Sequence, residues 1–533
     1  MMSGRLQKFL ANLDLVIPLL FLLSVSLVWI LEFDVYKFTN PDAYDYAQMG
    51  REIARGNGFS TLQVFPRHIP TLAEKGLLNI PHWPNLYRYP LPTYLNAFFN
   101  LWLPDIIVAS VVQSGIWFLL GIPLVFWITR QVANRTVATL ATLFYVGDPV
   151  LWLYSYNGLT ESSATFILLL IAGVALSKSS LNRQAMILGV LSGLAFLDRT
   201  QLVFVLPITL VYIWWKTQSP MRYYLSAVMC LLAFLVMLPW LLNNYLLMGD
   251  PLFSFSNVRN IVYSVPGPGI DIEMQLHAPA DTWSVIQEYG VGIAVKFARN
   301  TIPEIISLEF WANMFSTYFP FLLFFLMSFF HKDNVRNQHW EVLKWGSAII
   351  ILANFLVLGL GRHEPRFYII CRPFVLIVGL VSFVGIISSM LKQKRMVLKG
   401  LTICLFIFGF VQFSLSAVTY RHMPSNYSVD IESYTMVAES APAESIIASD
   451  ASYKVSLHAT RRALRLPTNP KELLEINEKY ISVDFVLLTG CSVVPGSEEG
   501  HSTYCRFVST PEFLSVFKLI KQLPNGALFF KKI

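Results

Sequence analysis

The sequence predicts a mostly α-helical, polytopic membrane protein with about eleven transmembrane helices, a large first outer loop and a small C-terminal α/β domain. Of its 533 residues, 55% are hydrophobic and 14% are charged. The hydrophobic residues form long blocks, and a block of about 20 residues crosses a hydrocarbon core about 30 Å thick. After residue 418 the composition changes to short alternating strand and helix patterns. These features together predict the membrane fold class.

The hydrophobic blocks predict the individual spans. No small-residue cleavage site precedes Asn40, so we expect the first block to be a retained helix rather than a signal peptide. One block carries Asp198-Arg199-Thr200-Gln201 at its centre and is too short for two ordinary spans, which predicts a hairpin of two short helices. The blocks lie near residues 15–33, 106–128, 137–156, 160–177, 184–215, 223–242, 311–330, 345–361, 369–390 and 400–418.

Charge decides between a hairpin and a single span at residues 184–215, because cytoplasmic loops of membrane proteins collect Lys and Arg. With a hairpin, the short outer loops hold only Arg199, Arg362 and Arg366, and the cluster Lys392–Lys399 lies inside. A single span would move that cluster outside. We therefore expect a cytoplasmic N-terminus and an extracytoplasmic C-terminus. The net charge of +7 follows from the same bias and gives no indication of nucleic-acid binding.

This topology divides the chain into a membrane module and an outer domain. The module covers residues 1–418, and its two larger outer loops are residues 34–105 and 243–310. Residues 419–533 form the outer domain. A domain of about 100 residues is within the usual size range.

Within the outer domain, two apolar runs at residues 445–450 and 484–489 predict buried strands. The intervening run at residues 471–476 predicts a helix, so the order is strand, helix, strand. Cys491 and Cys505 both lie here, which suits a disulfide in an oxidising compartment. Whether they pair stays open at this point.

The first outer loop carries the most informative polar residues. Asp42 and Asp45 lie three residues apart just after the first span, with Tyr46 beside them, and the loop returns to the membrane through Arg88 and Tyr89. Long polar loops in compact proteins are usually functional. The alternative is a solvated helix start, where acidic residues favour the first turn, with Arg88 an interfacial anchor.

Three further polar groups lie at predicted outer ends of spans. Glu161 either takes part in chemistry or only occupies the first turn of a helix. Arg199 lies at the tip of the hairpin, where an ionisable group is functional by default, although an Asp198–Arg199 pair could simply stabilise the turn. The run His363-Glu364-Pro365-Arg366-Phe367-Tyr368 is either functional or an aromatic and basic interfacial anchor.

Together these residues place carboxylates and arginines at one membrane face. The arginines Arg88, Arg199 and Arg366 suit a phosphate or pyrophosphate head group, because guanidinium offers fixed, bidentate donors. A carboxylate suits a general base that removes a proton from an acceptor hydroxyl or amine. The combination indicates group transfer from a lipid phosphate to an acceptor at the outer face.

Several of these motifs resemble one family. The resemblance is to GT-C fold glycosyltransferases, and it is carried by the acidic position Asp42 with Tyr46-Ala47 after it, the run Gly50-Arg-Glu-Ile-Ala-Arg-Gly-Asn-Gly-Phe59, the entry Arg88-Tyr-Pro-Leu-Pro-Thr-Tyr94 and Gly158-Leu-Thr-Glu161. The nearest groups are protein O-mannosyltransferases and lipid A aminoarabinose transferases. The resemblance covers roughly residues 10–390. Later patterns that fit it are Gly193–Arg199, Pro239–Asn244 with Gly249–Pro251, and Glu364–Tyr368.

The resemblance implies an inverting sugar transfer from a polyprenyl-phosphate donor to a lipid, glycan or protein acceptor, in a membrane such as the bacterial inner membrane. It implies that Asp42 is the base. Many members have Asp-Glu where this chain has Asp42-Ala43, so either Asp45 or Glu161 supplies a second catalytic carboxylate. The expected phosphate ligands are the three arginines named above. The expected substrate-binding residues are Tyr46, His82, Tyr89, His363 and Glu364.

Alternatives remain open for the metal and for the function. No cofactor is certain, but Asp42, Asp45, Glu161 or His82 could hold a divalent metal, Mg²⁺ or Mn²⁺ on oxygen ligands and Zn²⁺ with the histidine. A transporter or lipid flippase would also explain many spans, although the sequence shows no internal repeat. An acyltransferase or phosphotransferase should show its own nucleophile, and we identify none.

Overall fold

The computed structural model describes residues 4–33, 38, 40–262, 265, 272–279, 281–330, 338–361, 363–391, 395–421, 427–489, 504–523 and 526–533. Helices dominate it. They are α1 Gly4–Leu31, α2 Pro41–Ala54, α3 His68–Glu74, α4 Pro90–Asn100, α5 Ile106–Val132, α6 Arg135–Val146, α7 Pro149–Tyr154, α8 Glu161–Leu176, α9 Leu181–Asp198, α10 Val205–Lys216, α11 Met221–Met248, α12 Phe255–Val262, α13 Thr282–Ile306, α14 Leu308–Phe315, α15 Phe319–Met327, α16 Gln338–Leu360, α17 Arg372–Met390, α18 Arg395–Arg421, α19 Tyr427–Ser440, α20 Ser452–Lys454, α21 Pro470–Lys479 and α22 Pro511–Leu514.

Many of these helices match a membrane in length and hydropathy. Among the described residues, seven segments are long and apolar enough to cross it: Leu13–Leu31, Ile106–Val132, Met221–Met248, Leu308–Met327, Gln338–Leu360, Pro365–Met390 and Met396–Ser416. Three shorter apolar helices are Arg135–Val146, Glu161–Leu176 and Thr200–Lys216. The chain is therefore an integral membrane protein, as the sequence predicts, while the count of eleven spans stays a prediction.

The block at residues 184–215 folds as two antiparallel helices. α9 ends where Arg199 adopts an extended backbone with φ of −154°, and a 3₁₀ turn leads into α10. Two side-chain hydrogen bonds join the helices in antiparallel register. The hydroxyl of Tyr212 donates to Gln184 Oε1 at 2.8 Å, and Ser192 bonds Thr209 at 3.2 Å. The chain therefore reverses at Arg199, as the charge pattern predicts.

A six-stranded sheet lies beside the bundle. Its strand order is β2-β5-β4-β6-β8-β7, in which the first four strands are parallel and β8 runs antiparallel to both of its neighbours, β6 and β7. A separate antiparallel pair joins β1 to β3. The strands are β1 Ser60–Thr61, β2 Gln63–Val64, β3 Trp83–Pro84, β4 Ile446–Ser449, β5 Arg462–Arg465, β6 Phe485–Leu488, β7 Phe517–Gln522 and β8 Leu528–Lys532.

The sheet draws on more of the chain than the sequence indicates. β4, α21 and β6 agree with the predicted strand–helix–strand order. However, β2 comes from the first loop and pairs with β5, so that Gln63 opposes Ala463 and Val64 opposes Leu464. The loop strand covers the backbone groups that β5 would otherwise leave open at the sheet edge. The domain boundary at residue 419 stays a prediction.

The first loop, the second loop and the C-terminal region meet on one face of the bundle. Arg67 forms an ion pair with Glu273 at 2.7 Å, and Phe255 N donates to Leu86 O at 2.9 Å, which joins the two loops. β2 joins the first loop to the C-terminal sheet. We call this end of the bundle the site face.

Some residues of the sequence argument lie outside the described part of the chain. These are Arg362, Lys392, Lys394 and Cys491. Cys505 is described, and it is disulfide-bonded.

Candidate functional site

The start of α2 positions the first candidate carboxylate. Asn40 caps the helix by accepting a hydrogen bond from the backbone N–H of Asp42 at 2.9 Å. Pro41 follows as the first helical residue, where its fixed φ and missing N–H cost nothing. Asp42 therefore lies in the first turn, as the helix-start interpretation of the sequence also requires.

The other end of α2 is held by the C-terminal region. The guanidinium of Arg51 donates to the backbone carbonyls of Ser456 at 2.8 Å and Leu457 at 2.5 Å. Nearby, Gln63 Nε2 donates to Ser452 Oγ at 3.0 Å. Because these contacts join positions about 400 residues apart, the direction of α2 depends on the C-terminal region.

Two arginines bind the two oxygens of Asp42. Arg88 Nη2 donates to Oδ1 at 2.6 Å and Arg366 Nη1 donates to Oδ2 at 3.0 Å. Arg366 also donates from Nε to Glu364 Oε2 at 2.6 Å. Burial alone would raise the pKa of Asp42, but the charges of Arg88 and Arg366 outweigh it and hold that pKa well below its usual range. Asp42 is therefore an ionised carboxylate of low basicity in this state.

Asp45 holds Arg88 from the other side. Its Oδ2 accepts from Arg88 Nε at 3.1 Å and from Nη2 at 2.7 Å. The Arg88 guanidinium also lies over the rings of Tyr87 and Tyr46, 4.7 and 5.5 Å from their centroids. Burial raises the pKa of Asp45. The positive charge of Arg88 opposes this rise only in part, and Arg88 also binds the neighbouring carboxylate of Asp42. The position of Arg88 is thus fixed on several sides.

Glu161 and Arg199 form a second charged pair. α8 begins at Glu161 after a tight loop, in which Gly158 has a φ of +69° and a Cβ at this position would lie 2.3 Å from the Phe38 ring. Glu161 Oε1 lies 3.0 Å from Arg199 Nη1, an ion pair whose N–H is not aligned as a hydrogen bond. Arg199 also lies over the Phe367 ring at 5.5 Å. Arg199 therefore pairs with Glu161, while Asp198 Oδ1 accepts a hydrogen bond from Ser163 Oγ.

These groups surround one cavity of about 540 Å³ on the site face. An aromatic wall closes one side, where Tyr89 stacks on Trp240 and Phe196 meets both rings. Seven residues predicted from the sequence line the cavity: Asp42, Tyr46, Arg88, Tyr89, Glu161, Arg199 and Arg366. Its size and mixed lining suit a ligand with one charged and one apolar part.

Solved structures of membrane glycosyltransferases are similar to this one. ArnT from Cupriavidus metallidurans in the apo state matches over 97% of each chain at 10% identity, with a TM-score of 0.61. The chain has a GT-C fold. The archaeal oligosaccharyltransferase AglB from Archaeoglobus fulgidus, in complex with an inhibitory peptide and a dolichol-phosphate, matches at 12% identity and a TM-score of 0.59. That match covers 97% of this chain and 74% of AglB.

A further similar GT-C structure is ArnT bound to undecaprenyl phosphate, at 10% identity, a TM-score of 0.59 and coverage of 97% of this chain and 98% of ArnT. No family model and no curated protein matches the sequence. The likeness therefore concerns the GT-C fold, and activity has to be argued from the site.

Three of the predicted substrate-binding residues do not line the cavity of this GT-C fold. His82 is partly exposed and lies 3.2 Å from Glu52. His363 Nδ1 forms a hydrogen bond with the Tyr368 hydroxyl at 2.6 Å, and burial lowers the pKa of His363 to about 4. Glu364 binds Arg366 and supports it from outside the lining. Any effect of these three residues on substrate binding must therefore act through the residues that they contact.

Asp45 also lies behind the main cavity. It lines a much smaller neighbouring one and reaches the site through Arg88. This placement makes it a support for the arginine. Asp42 and Glu161 are the two predicted catalytic carboxylates that face the cavity itself.

The cavity also contains polar residues that the sequence argument did not select. Arg259 on α12 donates to the Tyr87 hydroxyl at 2.5 Å, and Asn257 accepts from the Tyr89 hydroxyl at 3.1 Å. Asp198, beside Arg199 at the turn between α9 and α10, also lines the cavity. Nothing in the local pattern around Arg259 distinguishes it from an ordinary helix-surface arginine. The place of Arg259 in the cavity becomes apparent only from the packing of the second outer loop against the first.

The donor atoms do not fit the metal centre considered from the sequence. Both oxygens of Asp42 face arginines, and His82 lies outside the cavity lining. In the described part of the chain, no three His, Cys, Asp or Glu side chains are grouped so as to hold a metal ion. A divalent metal at these residues stays a prediction.

Proposed function

We propose that this protein is an inverting glycosyltransferase that moves a sugar from a polyprenyl-phosphate carrier to an acceptor at the site face. The observation that carries the proposal is the placement of Asp42 between Arg88 and Arg366 in a cavity at one end of a membrane bundle. The GT-C neighbours bound to undecaprenyl phosphate and dolichol-phosphate support the class of donor. We place the site face outside the cytoplasm, in the bacterial inner membrane.

The arginines account for binding of the donor phosphate. Arg88, Arg199 and Arg366 line the cavity and come from three different connections between helices. Guanidinium groups present planar pairs of donors that match phosphate oxygens. When the bond between the anomeric carbon and the phosphate oxygen breaks, negative charge grows on that phosphate. Fixed cations stabilise this charge without having to reorganise, which is where electrostatic catalysis contributes most.

Asp42 accounts for activation of the acceptor. The acceptor oxygen or nitrogen forms a bond to the anomeric carbon, its proton passes to an oxygen of Asp42, and the bonding electron pair leaves with the phosphate. Attack from the face opposite the leaving group inverts the anomeric configuration. In the ligand-free site the arginines suppress the basicity of Asp42. A bound phosphate competes for the same cations, so donor binding should raise that basicity.

The lipids that purify with the protein test this donor assignment. We expect organic extracts of the purified protein to contain a polyprenyl phosphate carrying a sugar, identified by mass spectrometry. The Arg88→Ala, Arg366→Ala double variant should retain much less of it. Absence of any such lipid, together with failure to bind added undecaprenyl phosphate, would contradict the proposal. Binding without any sugar transfer would instead favour a lipid transporter.

A further inference from the structure

Two buried carboxylates on the cavity wall have unused hydrogen-bonding capacity. Glu161 begins α8 and is 2% exposed, and Asp198 ends α9 and is fully buried. Both line the cavity. Asp198 Oδ1 accepts from Ser163 Oγ at 2.8 Å, and Glu161 Oε1 faces Arg199. In the described part of the chain, the second oxygen of each, Glu161 Oε2 and Asp198 Oδ2, has no hydrogen-bond partner.

These two oxygens indicate a ligand that donates hydrogen bonds. Native proteins satisfy nearly all buried polar atoms, so each exception requires a physical reason. A carboxylate oxygen only accepts, which means that the missing partner must be a donor such as a hydroxyl group. Glu161 and Asp198 both line the same cavity. A single bound molecule with more than one hydroxyl group could therefore satisfy both.

Charge separates this wall from the phosphate site. Glu161 pairs with Arg199 here, and Asp198 adds a second carboxylate to this wall, so an anionic group is disfavoured directly beside Glu161 and Asp198. Around Asp42, the arginines Arg88 and Arg366 also pair with Asp45 and Glu364, but Asp42 is the one of these three carboxylates that lines the cavity. The cavity thus offers a cationic end for a phosphate and an acceptor-rich wall for neutral hydroxyl groups.

We infer that Glu161 Oε2 and Asp198 Oδ2 bind hydroxyl groups of the sugar on the donor and thereby select which sugar is transferred. This inference rests on the proposed function. It makes Glu161 a specificity residue and leaves the base role to Asp42. The aromatic wall of Tyr89, Phe196 and Trp240 lines the same cavity and offers apolar area for the rest of the donor.

Binding of defined lipids by the full-length protein tests the inference. The probes are undecaprenyl phosphate alone and undecaprenyl phosphate carrying glucose, mannose, galactose or arabinose, measured by native mass spectrometry. Asp198→Asn and Glu161→Gln keep side-chain size while removing the charge and one acceptor oxygen. Each should weaken binding of the sugar-bearing lipid preferred by the parent by about tenfold, as expected for one lost hydrogen bond, and should reduce discrimination among sugars.

Two controls show whether the effect is specific to the sugar: the lipid undecaprenyl phosphate without a sugar, and a variant of an exposed carboxylate. Affinity for undecaprenyl phosphate alone should not fall by more than about twofold in either variant, because Arg88 and Arg366 are unchanged and Glu161→Gln only frees Arg199 from its ion pair. Glu439→Gln, an exposed carboxylate on α19, should change neither affinity. Unchanged sugar discrimination in both variants overturns the inference while the proposed function stands. Failure of the parent to bind any of these lipids overturns the proposed function. If Asp198→Asn also loses undecaprenyl phosphate, the variant is not folded and Glu161→Gln decides.

Discussion

At the scale of single residues, the site contains a carboxylate that must accept a proton. The arginines bound to this carboxylate lower its affinity for that proton. Asp42 is ionised because Arg88 and Arg366 bind both of its oxygens. The same contacts fix its position, and general bases work only when they are held within hydrogen-bond reach of the proton. The expected consequence is a base that becomes effective once the donor phosphate shares the arginines.

Asp42→Asn tests the base directly. The change keeps the size of the side chain and removes its proton affinity, so turnover should fall by roughly 10²-fold or more. Donor binding should change little. Asp105→Asn is the matched control, because Asp105 caps α5 and Asn caps a helix about as well as Asp. Parent-level turnover in Asp42→Asn would transfer the base role to another carboxylate.

Arg366→Ala tests the phosphate site. Loss of one fixed cation at the leaving group should lower turnover by about 10²-fold and weaken donor binding. Arg366→Lys should recover only part of this loss, since an ammonium cannot contact Asp42 and Glu364 with a planar fork. The measurements are turnover and affinity for undecaprenyl phosphate. Complete recovery with Lys would show that only the charge matters.

The pH dependence follows from the sign of the Asp42 shift. A pKa held below the ordinary value of 3.8 means that the ionised form persists as pH falls. Protonation of Asp42 in the free enzyme should therefore not reduce kcat/KM between about pH 8 and pH 5. The acid limb of kcat, which reports the donor complex, should lie at higher pH than that of kcat/KM. Acid limbs at the same pH would contradict the proposed competition for arginines.

At the scale of secondary-structure elements, the sequence predicts features that depend on local pattern. Asn40-Pro41-Asp42 predicts a helix start, and the polar residues around Arg199 predict the reversal between α9 and α10, both of which the structure has. The pairing of β2 with β5 could not be predicted, because two-residue strands carry no periodicity and the partners are about 400 residues apart. Arg259 could not be predicted either, because its local pattern is that of an ordinary helix-surface arginine and its partner Tyr87 lies 172 residues away in the chain.

Arg51→Ala tests the contact between α2 and the C-terminal region. It removes both hydrogen bonds to the carbonyls of Ser456 and Leu457, so α2 should lose its fixed direction and kcat should fall more than donor affinity. Arg51→Lys should restore part of kcat. The control is Arg55→Ala one turn later, since the Arg55 side chain is 52% exposed and such a contact contributes at most about 1 kcal/mol. Equal loss in both variants would indicate general destabilisation.

At the scale of the whole molecule, hydropathy and charge predict an integral membrane protein, and the structure confirms this together with the GT-C fold. The gathering of Asp42, Glu161, Arg199 and Arg366 around one cavity is not contained in any local pattern. It follows from connections between spans that converge on one face. The resemblance to GT-C motifs predicted which residues belong to the site. Only the packing of the folded chain shows that His82 and His363 do not line the cavity.

Reporter fusions test the orientation of the chain. A reporter placed after Lys394 should report the cytoplasm, and one placed after Ile533 should report the outer compartment, because inner loops collect Lys and Arg. The antiparallel register of α9 and α10 requires the chain to turn back between them. The reverse readings at both positions would place the cavity on the cytoplasmic side and exclude an outer-face transfer.

The most direct test of the central claim is sugar transfer by the purified protein. Undecaprenyl phosphate carrying a labelled sugar is supplied at saturation with a membrane extract of the producing cells as acceptor, and labelled product is followed over time. The account predicts transfer by the parent with inverted anomeric configuration, and a loss of roughly 10²-fold or more in Asp42→Asn at unchanged donor binding. Transfer at the parent rate by Asp42→Asn, or product with retained configuration, would contradict it.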